Sequence, residues 1–179
     1  MSVKLLPTDL PGTLLLEPPI HRDARGRFVE VFHALKYKSA GISDAFVQDN
    51  FSHSVKGVFR GLHFQKNKPQ AKLVTVLRGE IYDIAVDIRR DSPNFGKWTG
   101  VHLSGENLRQ FYIPEYFAHG FCVLSEEAEV LYKCSDFYDP EDEGGILWSD
   151  PDLDIRLPLQ DIVLSPKDAG LPRLRDLLG

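Results

Sequence analysis

The sequence predicts an all-β fold, a sandwich or barrel with short flanking helices, and three observations carry that prediction. The 179 residues break into many short apolar stretches; Gly, Pro, Asn and Asp separate them at close spacing; helical periodicity is confined to His33–Ala40 and the tail after Pro166. The first strand is expected at Thr13–Glu17, a three-leucine run with prolines on both sides, followed by Phe28–Phe32, Phe46–Asp49 and Val58–Gln65. Arg78-Gly79 divides Ala71–Leu77 from Glu80–Ile88, and Ser92-Pro93-Asn94 precedes Trp98–Leu103. Ser104-Gly105-Glu106 precedes Arg109–Ile113, and His119–Leu124 and Ala128–Phe137 complete the set before the turn-rich stretch Pro140–Gly145. The length suits one domain over residues 1–179, large enough to bury about 70% of its unfolded surface.

Charge narrows the function classes. Lys and Arg number 21 against 26 Asp and Glu, a net −5 that argues against a general nucleic-acid binder. The balance is uneven: residues 1–110 carry +5 and residues 111–179 carry −10. The apolar run near the start is too short for a signal-peptide core or a membrane span. Cys122 and Cys134 form neither a disulfide framework nor a Cys-x-x-Cys pair, and their apolar neighbours predict buried, inert thiols. A soluble, cytoplasmic protein is expected.

Strand parity sorts the polar residues. Asp83 shares a face with Ile81 and Ala85, while Tyr82, Ile84, Val86 and Ile88 line the other, so both faces are expected to be covered. A carboxylate there must be paired, hydrogen-bonded or protonated. Lys72 points with Val74 and Val76, Gln48 with Phe46 and Asn50, and Tyr132 lies between Val130 and Cys134. Any one of these could be a satisfied core residue; together they predict a polar-lined cavity.

Barrels of the cupin type often hold a metal through G-x5-H-x-H-x3-4-E and P-x-G-x2-H blocks. Here the corresponding stretches run from Gly57 to Gln65 and from Pro114 to His119. Gln65 replaces the second histidine and no Glu follows at the required distance. Two imidazoles, His63 and His119, are fewer than the three or four protein ligands of a stable site, so no metal is expected. The remaining groups suit proton transfer. A histidine oriented by an aspartate is a general base, a lysine stabilises an enolate oxygen and a tyrosine serves as an acid. His63, Asp83, Lys72 and Tyr132 thus fit proton removal beside a carbonyl with return to the opposite face, which is epimerisation. Nucleophilic catalysis fits less well, since there is no G-x-S-x-G elbow and neither cysteine has an evident activating partner.

These residues sit in an ordered series of blocks: Asp23-Ala24-Arg25-Gly26-Arg27-Phe28-Val29-Glu30, FVQDN at Phe46–Asn50, RGLHFQ at Arg60–Gln65, Lys72-Leu73-Val74, Gly79–Arg89, Ser92–Gly96, FAHGF at Phe117–Phe121, Leu131-Tyr132-Lys133 with Tyr138, and Ser165-Pro166-Lys167-Asp168. In collinear order across nearly the whole chain, they resemble the dTDP-4-dehydrorhamnose 3,5-epimerase family. The resemblance implies a cupin-like jelly roll, no cofactor, and a dTDP-4-keto-6-deoxy sugar substrate epimerised at C3 and C5. It implies that His63 is the base, Asp83 its orienting partner, Tyr132 the acid and Lys72 the group that stabilises the enolate at O4. Arg25, Glu30, Gln48, Asn50, Arg60, His119, Tyr138, Glu143 and Lys167 match substrate-binding positions, and Phe28 matches an aromatic that stacks near the thymine. The Arg25–Glu30 segment is implied to reach across a homodimer. In this light a local cluster of Arg25, Arg60 and Lys72 suffices for a pyrophosphate despite the net negative charge.

Several expectations remain separable from the resemblance. Arg60 and His63, three apart, would face opposite ways on a regular strand, so a bulge is expected at Gly61. Phe28 could be core, Glu143 a member of an acidic loop, and Lys167 a tail residue. Tyr116 stands where the family usually has Gly, and Leu157-Pro158 where it has Trp-Pro. Rival functions are a single-centre epimerase, a non-catalytic sugar-nucleotide-binding cupin and, last, a metal-dependent cupin oxygenase.

Overall fold

The computed structural model describes residues 3–178. Thirteen strands follow one another: β1 (Lys4–Leu6), β2 (Leu14–Glu17), β3 (Ile20–Asp23), β4 (Gly26–Val29), β5 (Gln48–Val55), β6 (Phe59–Gln65), β7 (Lys72–Arg78), β8 (Glu80–Asp87), β9 (Trp98–Ser104), β10 (Gln110–Ile113), β11 (Phe117–Val123), β12 (Glu127–Cys134) and β13 (Glu143–Gly145). Helix α1 (Ala34–Ser39) precedes β5, and α2 (Pro166–Ala169) and a 3-10 turn (Leu174–Leu178) end the chain.

The pairing is nested. β5 pairs with β12, β6 with β11, β7 with β10 and β8 with β9, all antiparallel. A chain folded back on itself in this way and wound into two layers gives the jelly roll expected from the sequence. The layers are β1-β2-β10-β7-β12-β5 and β13-β6-β11-β8-β9, with β3–β4 a separate hairpin.

Each layer carries apolar side chains on both faces, and three clusters bury most of them. Val74, Val76, Ile81, Ala85, Phe111, Phe121 and Val130 fill the space between the layers. Ile84, Val86, Ala118 and Cys122 point outward and are covered by the chain after β13, through Ile146, Leu153, Ile155 and Leu174. The outer face of the six-stranded layer is sealed by Tyr37 of α1 against Leu16, Leu73 and Tyr112. Burying each such side chain is worth about 1.5–3 kcal/mol. The double-sided reading of the Glu80–Ile88 stretch therefore holds.

Three strands escape the sequence reading. β1 and β3 are edge or hairpin strands with mostly exposed side chains, and β13 is a three-residue strip inside the acidic turn. The stretch expected at Phe28–Phe32 is instead β4, because β3 and β4 pair around the Ala24-Arg25 turn and leave Glu30 to His33 outside the ladder. The short strand expected at Phe46–Asp49 becomes β5, eight residues long on the layer edge, where an alternating polar side faces the cleft or water.

Candidate active site

One open end of the roll forms a cleft. A cavity of about 570 Å³ is lined from both layers and from α2, by Asn50, Arg60, His63, Lys72, His119, Tyr132, Lys167 and Asp168 among others. A second lobe of about 230 Å³ shares Asn50, His63, Lys72 and Tyr132 and adds Gln48, Gln65, Gln70, Tyr138 and Glu143. Most of the residues singled out from the sequence thus converge on one place.

Local backbone structure makes this possible. The ladder between β6 and β11 slips between His119↔His63 and Phe121↔Arg60, so β6 carries an extra residue there. Gly61 takes a φ of 127°, and a Cβ on it would lie 2.5 Å from Gly120 Cα. The expected bulge is present, and it lets Arg60 and His63 both face the cleft.

His63 Nε2 lies 2.6 Å from Asp168 Oδ1. A carboxylate so placed favours the tautomer with the proton on Nε2, which leaves Nδ1 able to accept one. Nδ1 is 4.0 Å from Glu143 Oε1, beyond a hydrogen bond. This corrects the expectation that Asp83 orients His63. β11 lies between β6 and β8, so Asp83 on β8 meets His119 on β11 first, with Nε2 2.5 Å from Oδ1. Asp83 is fully buried, and its second oxygen has no hydrogen-bond partner among the described residues. His63 and His119 stand directly across from each other in the ladder, each with its own aspartate.

Asp168 lines the cleft beside His63 and is not among the site residues expected from the sequence. It sits three residues after Ser165, whose hydroxyl accepts from the Asp168 amide at 3.0 Å and caps α2. Ser-x-x-Asp is the signature of a capping box, and that was the available signal. Here the acid turns away from its own helix towards His63.

The opposite wall carries Tyr132 on β12 and Lys72 on β7, in the six-stranded layer. Burial lifts the Tyr132 phenol above its ordinary value of 10, so it stays protonated at neutral pH. Burial also pushes the Lys72 ammonium below 10.5, against the pull of Cys134 and Glu143. Lys72 Nζ stands 5.6 Å from the Tyr132 ring centre.

Around these, Gln48 Nε2 donates to Asn50 Oδ1 at 3.0 Å, and Arg60 Nε donates to Ser54 Oγ at 3.0 Å. Glu143 accepts from the Tyr138 hydroxyl at 2.6 Å and pairs with Lys167. Its own burial would raise its pKa, but Lys167, Tyr138 and His63 together hold it below 4.5. Glu143 is therefore a cleft residue on β13 rather than loop solvation, and Lys167 is its partner rather than a free tail residue. Gln65, which stands where metal-binding cupins have a histidine, spends its amide on the acidic loop. It donates to Lys68 and Phe137 carbonyls and accepts from the Asp139 amide.

Besides Asp83, which lies buried behind His119, three expected site residues are not in the cleft. Arg25, Phe28 and Glu30 lie on or beside the β3–β4 hairpin, where Arg25 pairs with Asp23 at 2.6 Å and Glu30 with Lys36 at 2.7 Å. Phe28 is 69% exposed, which removes the alternative that it is core. Tyr116 has a φ of 63°, the left-handed region that its departure from Gly put in question, and Leu157 packs into the outer apolar cluster. Both cysteines are free and buried, and burial raises the Cys122 thiol to about 11.

Known proteins resemble this chain over nearly its whole length. The chain is 51% identical over 176 residues to a dTDP-4-dehydrorhamnose 3,5-epimerase of Methanothermobacter thermautotrophicus, covering 97% of this chain and 95% of that protein. It is 52% identical to one of Shigella flexneri, covering 93% of each. The crystal structure of a dTDP-6-deoxy-D-glucose-3,5-epimerase of Legionella pneumophila in complex with dTDP-4-keto-L-rhamnose superposes with a TM-score of 0.94 at 53% identity. That match spans 97% of this chain and 93% of the other. The dTDP-4-dehydrorhamnose 3,5-epimerase family profile matches residues 7–176, and the chain belongs to that family.

Proposed function

We infer that this chain epimerises C3 and C5 of dTDP-4-dehydro-6-deoxy-D-glucose to give dTDP-4-dehydro-L-rhamnose, with the 4-keto group acidifying both positions. One observation carries the chemistry. A histidine–aspartate base on one layer and a protonated tyrosine on the other face each other across a single cleft. A sugar ring held between them loses a proton to His63 on one side and gains one from Tyr132 on the other, which inverts the carbon. Lys72 supplies positive charge for the oxygen that becomes an enolate. Arg60, Lys167 and His119 line the same cavity and offer donors to the sugar and the diphosphate.

In this reading residues 1–179 act as one domain in a cytoplasmic homodimer. The exposed hairpin bearing Arg25 and Phe28 supports the dimer, since those groups would complete a partner's nucleotide site. The two unpaired thiols suit a reducing compartment, and no helix among the described residues is long and apolar enough to cross a membrane.

Incubation with the 4-keto substrate in D₂O tests the reading. Deuterium is expected at both C3 and C5; incorporation at one carbon alone would make the chain a single-centre epimerase, and none at either would remove the enzyme. His63→Ala is expected to abolish exchange at both carbons, because one base serves both.

A further inference from the structure

We propose that Gln70 is the positioning residue for Lys72, its amide oxygen holding one ammonium hydrogen so that another is aimed at the substrate oxygen. The proposal rests on the reading of Lys72 as the group that stabilises the enolate.

Gln70 lies just before β7, is buried, and accepts from Lys72 Nζ at 3.0 Å. Its orientation is fixed from the other end, where Nε2 donates to the Asp136 carbonyl at 2.8 Å. A flipped amide would put NH₂ against the ammonium and leave Asp136 unpaired, so only one orientation satisfies both. The two segments are tied beside this contact. Ala71 N donates to Ser135 Oγ at 2.8 Å, and Ser135 N donates to the Ala71 carbonyl at 3.0 Å.

The Cys134 sulfur completes the seat at 3.9 Å from Lys72 Nζ, and itself receives Asn50 Nδ2 at 3.6 Å. Of the three ammonium hydrogens, one is taken by Gln70 and one faces the weak sulfur acceptor, which leaves one for the cleft. A four-carbon side chain with free rotors would otherwise sample many positions. The other ionisable groups facing this lysine are Tyr132 and Cys134 on β12, Glu143 on β13, Tyr138 after β12, and His63 on β6. The nearest carboxylate, Glu143, is already committed to Lys167 and Tyr138. The neutral amide therefore fixes the geometry without a carboxylate that would bind the ammonium more strongly than substrate does.

The test is a double-mutant cycle on deuterium exchange and kcat, using Gln70→Met, Lys72→Met and the pair. Gln70→Met keeps the volume and removes the acceptor. It is expected to lower kcat about tenfold to a hundredfold with KM changed less than about threefold, and to move the alkaline limb of the kcat profile to lower pH. In the Lys72→Met background the same change is expected to cost nothing further. An equal loss in both backgrounds would make Gln70 merely structural and overturn the proposal, as would a wild-type rate and pH profile in Gln70→Met. If Lys72→Met alone exchanges at the wild-type rate, the reading of Lys72 fails first, and the proposal with it. Should Gln70→Met not fold, Gln70→Glu carries the comparison. It keeps the acceptor, and the alkaline limb is expected to rise; an unmoved limb would overturn the proposal.

Discussion

Asp168 and His63, 105 residues apart, share a 2.6 Å hydrogen bond that joins α2 to the bulged strand β6. The C-terminal segment thus does more than cover apolar surface, since it delivers the carboxylate that decides which imidazole nitrogen is basic. Asp168→Asn is expected to lower kcat by about 10²–10⁴ while the thermal midpoint stays near wild type. The fold is spared because the Ser165 cap uses the backbone amide, which the substitution keeps. A kcat within about twofold of wild type would return the orienting role to another residue. Asp83→Asn separates the two aspartates, because its effect should pass through His119.

Tyr132 faces His63 from the opposite layer, and its burial-raised phenol stays protonated well past neutral pH. Tyr132→Phe removes only the hydroxyl. Exchange into solvent at the abstracted position should persist more than turnover does, because abstraction by His63 precedes return of a proton by tyrosine. Equal loss of both, read by NMR, would argue against the acid role.

The roll is legible in the sequence because many short apolar stretches are separated by turn signals and helical periodicity is nearly absent. His63, Lys72, Tyr132 and Glu143 are legible because each is a polar insertion or a block residue. Sequence spacing does not reveal the partner of Asp83, because strand adjacency is not a property of spacing. Asp83 is twenty residues from His63 in sequence but two strands away in space, with His119 between. Asp168 is legible only as part of a capping sequence, since only the tertiary path of the tail brings α2 to β6. The edge strands were missed because their exposed faces carry little apolar pattern.

Gly61 is the position where this site tolerates least. An added methyl would meet Gly120 Cα at 2.5 Å and the His119 carbonyl at 2.7 Å, on a backbone with φ of 127°. Gly61→Ala is expected to cost about 2–4 kcal/mol in urea unfolding and to lose activity beyond what the stability change explains. A variant with both properties intact would show that β6 and β11 separate freely.

Tyr116 offers the opposite case. Its left-handed φ of 63° and half-exposed ring mean that glycine would relieve backbone strain and lose little packing. Set against the greater entropy of unfolded glycine, Tyr116→Gly should gain about 0.5–1 kcal/mol, or about 1–4 °C in Tm. A loss of stability would show that the tyrosine ring contributes more than the strain costs.

Asp87 contributes to acid sensitivity at the turn after β8. Its buried carboxylate accepts from Arg89 Nε at 2.9 Å, from the Arg89 amide at 3.0 Å and from Ser92 Oγ at 2.7 Å, closing the turn between β8 and β9. Burial works to raise its pKa, but Arg89 and Ser92 outweigh it and hold the carboxyl below 3.8. A folded-state value below the unfolded one means the stabilisation is complete above the unfolded pKa and is lost as pH falls through the folded one. Asp87→Asn should therefore cost about 1–3 kcal/mol at neutral pH, with the gap to wild type narrowing as urea unfolding is repeated down to about pH 3. A gap that stays constant over that range would mean the turn is held by shape alone and not by the charge on Asp87.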